Sequence, residues 1–496
     1  GRNDNWINLA YYANAEYNYR NKYFLSATAT MEASSRFGKD AEDGLKMCGV
    51  AWGLFPSVQA AWVMSSEKWF KVNGIDYLKL SAGFDISGND NIDYYATRTY
   101  FENIKFMDKA TGLILSNIQN PKLQWETTRR FNVGLQTSML KNRLNVGIEY
   151  FNAKTSNLLT RKSVSDITGL PYMWANDGTL KNNGVNFNVD GMIVQHKDWR
   201  WQVGFSIGHY KNEITELPAT ELNNLKTWSL DANGNKDQEQ SIRGYVTNIY
   251  GANILTAVGH AAGVFYGYQT SGVFASDLEA SQAGKYGYLR YPTGISQEPY
   301  RNFKAGDVCF VDQNGDGWIN EADMVVIGDP NPDIFGNIST SLQWKHLKLD
   351  VVFKYSLGND VYNYQRSQLE SLNNHWNQTT AAVNRWRYEG QITDMPRVMD
   401  VNSEQWVNNE RFSDRWIEDG SYLKLKKVRL TYRIPMNVSW MQGLAVWGEA
   451  NNIFTVSKYT GNDPEFSAGN SVLYQGIDAG FLPQSRNFNL GVTINL

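Results

Sequence analysis

The sequence predicts an all-β chain: the wall of a transmembrane antiparallel β-barrel, about 13 strands of it, with long extracellular loops. Three observations lead there. Apolar and polar residues alternate with a period of two in segment after segment. Aromatic residues sit at the ends of the apolar faces (Tyr17, Tyr19, Trp62, Tyr150, Trp199, Trp344, Tyr432), where an interfacial girdle belongs. The connections between segments alternate short and long without exception.

In chain order, the first four strands are expected at 6–19, 22–34, 52–64 and 76–86. Phe131, Val133 and Leu135, set between Asn132, Gly134 and Gln136, mark 124–139. Leu144, Val146, Ile148 and Tyr150 mark 142–155, and Val185, Phe187 and Val189 mark 180–194. Trp199, Trp201, Val203, Phe205 and Ile207 mark 199–213. Strands at 333–344 and 347–357 follow, the second carrying Leu347, Leu349, Val351, Phe353 and Tyr355 on one face. The last three are 416–433, 443–455 and 485–496, where Phe488, Leu490, Val492, Ile494 and Leu496 face away from Asn489, Gly491, Thr493 and Asn495.

A soluble β-sandwich also alternates. Here the second face carries Asn, Gln, Glu, Lys and Gly, which suits a watery lumen. Loop length separates the two further. Short connections fall at 20–21, 65–75, 140–141, 195–198, 345–346 and 434–442; long ones fall at 35–51, 87–123, 156–179, 214–332, 358–415 and 456–484. Outer-membrane barrels segregate short periplasmic turns from long outward loops in this way.

Composition narrows the field. With 17 Trp, 28 Tyr and 22 Phe among 496 residues, the chain is not disordered. A net charge of −3 implies no nucleic-acid partner. A mean hydropathy of −0.47 and the Gly- and Pro-broken uncharged stretches 47–66 and 245–276 exclude a helical membrane bundle. Hydropathy is nearly blind to transmembrane strands, because only alternate residues face lipid.

The strand count is odd, whereas a complete single-chain bacterial barrel has an even number. The expectation is a chain, 1–496, that forms the C-terminal part of a barrel and begins inside a surface loop. No leader peptide is recognised in it, so it is expected to be a piece of a longer protein.

One metal motif stands out in the long loop 214–332. Asp312, Asn314, Asp316, Trp318, Asn320 and Asp323 occupy positions 1, 3, 5, 7, 9 and 12 of a D-x-[DN]-x-[DN]-G loop, with Gly317 at the sharp turn. Side-chain oxygens and the Trp318 carbonyl could wrap one Ca2+ as a structural ion. Asp replaces the usual Glu at position 12, and no amphipathic helices flank the loop. The competing reading is an ion-free Asn/Asp/Gly turn. Catalytic constellations are missing: His196, His209, His260, His346 and His375 are scattered, and there is no HExxH or G-x-S-x-G, so the chain is not expected to be an enzyme. Cys48 and Cys309 map to outward loops and could pair there. Tyr172, Trp174, Phe265, Tyr266, Tyr268, Trp376 and Trp386 could stack on a sugar or peptide, or pack loop on loop.

Several stretches resemble one family. They are 306–320, Gly328 with Pro330, Asn331, Pro332 and Asp333, and Gly358, Asn359, Asp360, Tyr362 and Asn363. Ser34, Ser35, Arg36, Phe37 and Gly38, the run Phe55, Pro56 and Ser57, and Asn120, Pro121, Leu123, Trp125 and Glu126 complete the set. Together they resemble the SusC/RagA class of TonB-dependent outer-membrane transporters. The resemblance implies a barrel of about 22 strands with a plugged lumen, of which the remainder would pair with this chain. It also implies residence in the bacterial outer membrane, in contact with its lipid, and a plug that meets the TonB complex. A SusD-like surface lipoprotein would close over the mouth. One departure is the terminal Leu496, where such barrels usually end in an aromatic.

The function expected from this reading is active import of oligomeric nutrients, either oligosaccharides or peptides. The alternatives are a calcium-stabilised adhesin or passive porin, and a soluble β-rich carbohydrate-binding protein.

Overall fold

The computed structural model describes residues 4–42, 44–47, 49–106, 110–164, 166–170, 172–219, 224–295, 298–436, 440–469 and 471–495. Its frame is one antiparallel sheet of thirteen strands in sequence order, each hydrogen-bonded to the next, with the short strand Leu45–Met47 added against the third. We number them β1 (Asn8–Tyr19), β2 (Tyr23–Ser34), β3 (Val50–Val63), β4 (Ile75–Asn89), β5 (Glu126–Met139), β6 (Leu144–Ser156) and β7 (Thr179–Gln195). Then come β8 (Trp199–Glu216), β9 (Ile334–Trp344), β10 (Leu347–Leu357), β11 (Tyr422–Ile434), β12 (Gly443–Ser457) and β13 (Asn487–Asn495). Every predicted strand is present. Among the described residues β1 pairs only with β2 and β13 only with β12, so the sheet is an open wall.

Register sorts the two faces. Leu80, Leu135, Ile148 and Phe187 lie in one cross-strand row, while Gly83, Asn132 and Phe151 lie in a row on the other side. Outward residues such as Phe131, Ile148, Tyr150 and Val185 are exposed because nothing in this chain covers them. That is the arrangement of a wall whose outer solvent is hydrocarbon. At the short-turn end Trp199 stacks on Trp344 at 5.8 Å and Tyr23 on Trp62 at 6.3 Å. These rings form the expected girdle. The tight turn at Arg20 and Asn21 has φ of 55° and 54°, the left-handed pair whose twist matches flanking strands. No described helix is long and apolar enough to cross a membrane.

One boundary differs from expectation by six residues, and the others by three or fewer. The strand predicted at 416–433 begins at Tyr422; the residues before it form the turn Asp414–Trp416 and the short strand Ile417–Asp419. That strand pairs with Asp360–Asn363 instead of joining the wall. Partners in another loop outweigh continuation of the local pattern. Leu496 lies outside the described residues.

The motif stretches near the first loops have a packing explanation. Gly38 lies against the Pro121 carbonyl: a Cβ there would meet that oxygen at 1.8 Å. Gly38 N donates to Leu123 O (2.9 Å) and Asp40 N to Pro121 O (3.0 Å). Phe37, Ile92, Ala96, Leu123 and Trp125 build a buried cluster above the wall. Gly38→Ala is therefore expected to push 35–42 off the 120–125 segment at a cost of about 1–3 kcal/mol. Faster hydrogen exchange in both segments of the folded barrel, with the wall strands unchanged, would show it.

Candidate functional site

At the long-loop end, three connections merge into one folded cap. Residues 217–333 carry a five-stranded sheet: Asn224–Leu230, Lys236–Ile249, Ala252–Ala257, Val264–Gly267 and Val325–Gly328. None of these strands enters the wall. A parallel pairing of Tyr362 and Asn363 with Ile477 and Asp478 ties 358–421 to 458–486. One core draws Ile249, Ile254 and Phe265 from the first connection, Tyr362, Phe412 and Trp416 from the second, and Ile477 from the third. A second core joins Phe274, Phe303, Phe310 and Ile319 to Val407. These apolar side chains come from segments far apart in the chain, and their burial is what orders the loops.

Polar clamps hold the cap at three places. Asp307, fully buried, accepts two bonds from Arg397, from Nε at 2.8 Å and from Nη2 at 2.9 Å. It also accepts from Asn409 Nδ2 (2.9 Å) and Lys304 N (2.8 Å), so all its bonds bridge loops or close a turn. Arg411 is buried among Phe310 (4.6 Å), Tyr268 (4.9 Å) and Tyr291 (5.1 Å), a cation over ring faces. Its guanidinium donates to the carbonyls of Asn408 (3.0 Å) and Val407 (2.7 Å). On the wall, Lys424 of β11 is 2% exposed and donates to Asp463 Oδ2 (3.0 Å) and Glu465 Oε2 (2.6 Å). Lys354 of β10 binds the other Glu465 oxygen. Burial pushes the Glu465 carboxyl up, but the two ammonium groups outweigh it and hold it at about 2.

The predicted metal loop is placed between strand Val308–Phe310 and strand Val325–Gly328. Gly315 and Gly317 have φ of 69° and 86°, the left-handed turn that Gly317 was expected to supply. Asp312 accepts from Gly315 N and Gly317 N, both at 2.7 Å. Asp316 accepts from Trp318 N (2.8 Å) and Leu230 N (2.7 Å). Asp323 is fully buried and accepts from Gln313 N (3.0 Å) and Asn320 N (2.8 Å), while Asn320 and Asp323 form a reciprocal cap on the turn Glu321–Asp323. Burial, with a smaller push from Asp312 and Asp316, raises the Asp323 carboxyl to about 7 against the pull of its backbone donors. Asn314 Oδ1 accepts from Asp316 N (2.9 Å), and Asn320 Nδ2 is buried with no partner. Trp318 packs under Arg290 at 5.3 Å and donates to Asp231 O at 2.9 Å. Among the described residues no group of three or more His, Cys, Asp or Glu could hold a metal by itself. A cation here would need the oxygens of Asn314 and Asn320 and the Trp318 carbonyl as well. Asp312 Oδ2, Asp316 Oδ1 and both Asp323 oxygens accept one N–H each and keep a second lone pair for that purpose, whereas Asp312 Oδ1 and Asp316 Oδ2 already accept two.

Other sequence candidates resolve differently. Phe265 and Tyr266 are core residues, and Tyr268 belongs to the Arg411 cluster. Trp174 donates to Asp93 (3.0 Å) and Trp386 to Ala275 O (3.1 Å). Of these aromatics Trp376 stays open, at 70% exposure. The side chain of Tyr172 lies outside the described residues, as does Cys48. Cys309 is half-buried with a free thiol. His196 and His346 occupy short turns, and His209 bonds the Asp333 carbonyl at 2.6 Å. The Asp307, Arg411 and Lys424 clamps were not anticipated. Only Asp307 carried a signal, through its place in the motif beginning at Gly306.

An open antiparallel wall with an exposed apolar face, an aromatic girdle and a polar inner face defines the class: a bacterial outer-membrane β-barrel. The chain belongs to the family described as TonB dependent receptor-like, beta-barrel, whose profile matches residues 1–314. It is 28% identical to TonB-dependent receptor P3 of Formosa agariphila, over 98% of this chain and 45% of that protein. It is 27% identical to TonB-dependent receptor SusC of Bacteroides thetaiotaomicron, over 98% of this chain and 43% of that one. Among solved structures, the RagAB peptide transporter superposes with a TM-score of 0.72 at 22% identity, covering 99% of this chain and 48% of that chain. The chain thus spans about half the length of the relatives it matches.

Proposed function

We propose that the whole protein is an energised importer of oligomeric nutrients, glycans or peptides, working with a SusD-like lipoprotein that lids the mouth. In this reading the long-loop end faces outward, a plug within the rest of the protein meets the TonB complex, and this chain supplies wall, loops and lid-docking surface. One observation carries it: three long connections share cores at one end of the wall, giving a preformed surface there. A passive pore has no need of such a structure. The relatives named for SusC and for a RagAB peptide transporter support the same reading. The test is uptake of labelled oligosaccharides and oligopeptides by cells carrying the intact gene, with and without TonB. Uptake is expected to stop without TonB or without the lipoprotein; uptake that continues unaffected would favour the porin alternative.

We further propose that Ca2+ closes the loop of Asp312, Asn314, Asp316, Trp318, Asn320 and Asp323 as a structural ion. The support is three carboxylates gathered in one turn, of which Asp316 and Asp323 are buried; burial first, and then the neighbouring Asp312 and Asp316, raise Asp323 to about 7, a cost that a divalent cation relieves. With calcium at about 100 times its dissociation constant, the cap is expected to gain about 2.7 kcal/mol. Terbium bound in the loop is expected to luminesce through Trp318. Asp312→Asn should remove both signals, and if calcium leaves wild-type unfolding unchanged the ion has no place here.

A further inference from the structure

The outer face of the wall carries a row of unpaired cations at its long-loop rim. Arg129 on β5 lies directly opposite Lys154 on β6, and Lys154 directly opposite Lys181 on β7. All three are exposed, and among the described residues none makes an ion pair or a side-chain hydrogen bond. Glu213 faces Lys181 from β8 but is paired with Lys211 at 3.1 Å. Like charges directly opposite on neighbouring strands repel, and the one carboxylate in the row, Glu213, is engaged by Lys211.

Their height on the wall matters. They share a face with Phe131, Leu135, Ile148, Tyr150 and Val185, the exposed apolar surface of the same strands. From Leu144 near the short turn to Lys154 the strand rises about 33 Å. At the usual tilt this is about 25 Å along the membrane normal, the height of a barrel's apolar band. The cations therefore stand where hydrocarbon ends and headgroups begin. At the same height the ends of β9 and β10 present Ile334 opposite Leu357, with no such charges.

We propose that Arg129, Lys154 and Lys181 form a binding site for the phosphate of an anionic lipid in the leaflet at the long-loop end. The acyl chains would lie on the Phe131–Tyr150–Val185 surface, continuous with the lipid interface of the wall. Arg129 offers a planar fork for phosphate oxygens, and the two lysines supply point charges on either side of the same headgroup. The inference depends on the membrane-wall reading and on no part of the import mechanism.

The test uses the intact transporter in nanodiscs, with phosphorylated lipid A, its dephosphorylated form, and inorganic phosphate as separate probes, read by native mass spectrometry. Arg129→Gln/Lys154→Gln/Lys181→Gln is expected to lower occupancy by phosphorylated lipid at least about tenfold and to leave the dephosphorylated form unchanged. Arg129→Lys/Lys154→Arg/Lys181→Arg is expected to keep the lipid. Gel mobility before and after heating reports folding. Should the triple variant fail to fold, Lys154→Gln alone is expected to give about a threefold loss. Wild-type occupancy in a folded neutral variant overturns the site, and so does failure of the charge-keeping variant to bind. Competition by millimolar inorganic phosphate overturns a lipid as its occupant. A wild-type protein that holds the lipid yet imports nothing counts against the import reading alone.

Discussion

Asp307→Ala is expected to release the cap between 217–333 and 358–421, at a cost of about 3–5 kcal/mol. The magnitude comes from what is left behind. Asp307 is fully buried and neutralises Arg397 through two bonds while satisfying Asn409 and Lys304 N. Without it a largely buried guanidinium loses its counter-charge and two neighbouring donors lose their acceptor, which costs more than the net value of the bonds themselves. Hydrogen exchange across 304–310 and 395–411 is expected to rise together, while β1–β13 stay protected. Asp307→Asn/Arg397→Met should cost less than the sum of the single changes, because the neutral pair leaves no orphan charge. Additive losses would mean that the pair is not coupled.

Lys424→Met is expected to have an effect of similar size at a different joint. The ammonium is 2% exposed and bridges Asp463 and Glu465, which anchor the 458–486 connection to the wall. Replacing it by an apolar side chain of similar volume keeps the packing and leaves two carboxylates facing each other, with Lys354 alone to offset them. The expected loss is about 3–5 kcal/mol, seen as protease cleavage within 458–486 in a barrel that otherwise stays folded. Intact wild-type-like resistance would sink the idea. The same clamp gives a pH dependence. Glu465 is held at about 2, below its ordinary 4.5, so its stabilisation is complete above about pH 4.5 and disappears as pH falls towards 2. Allowing for solvent screening, about 1–2 kcal/mol is expected to be lost over that window. Glu465→Gln should flatten this part of the profile and leave the rest of the acid titration in place.

The sequence laid out the wall well. All thirteen strands appeared where the alternation placed them, and the short and long connections fell at opposite ends. Register was legible for the same reason: a one-residue slip would turn every apolar residue of a strand to the wrong side. Even the cationic row could have been suspected strand by strand, but only pairing shows Arg129, Lys154 and Lys181 side by side.

The cap was a different case. In 217–333, 358–421 and 458–486 the chain has turns, aromatics and amides without a sustained period, and short motifs such as 306–323 and 358–363 were the local signals that could be read. Which aromatics would be core and which exposed was not decided locally: Phe265 is buried and Trp376 is open. Arg397 finds Asp307 across 90 positions, and Lys424 finds Asp463 across 39. Residues 416–421 left the predicted strand because Asp360–Asn363 offered them another partner. A membrane wall separates two solvents, and that boundary writes itself on every second residue, so the sequence alone determines it. A cap forms when distant loops bury one another's side chains and charges, a condition without sequence period, and only the tertiary structure decides it.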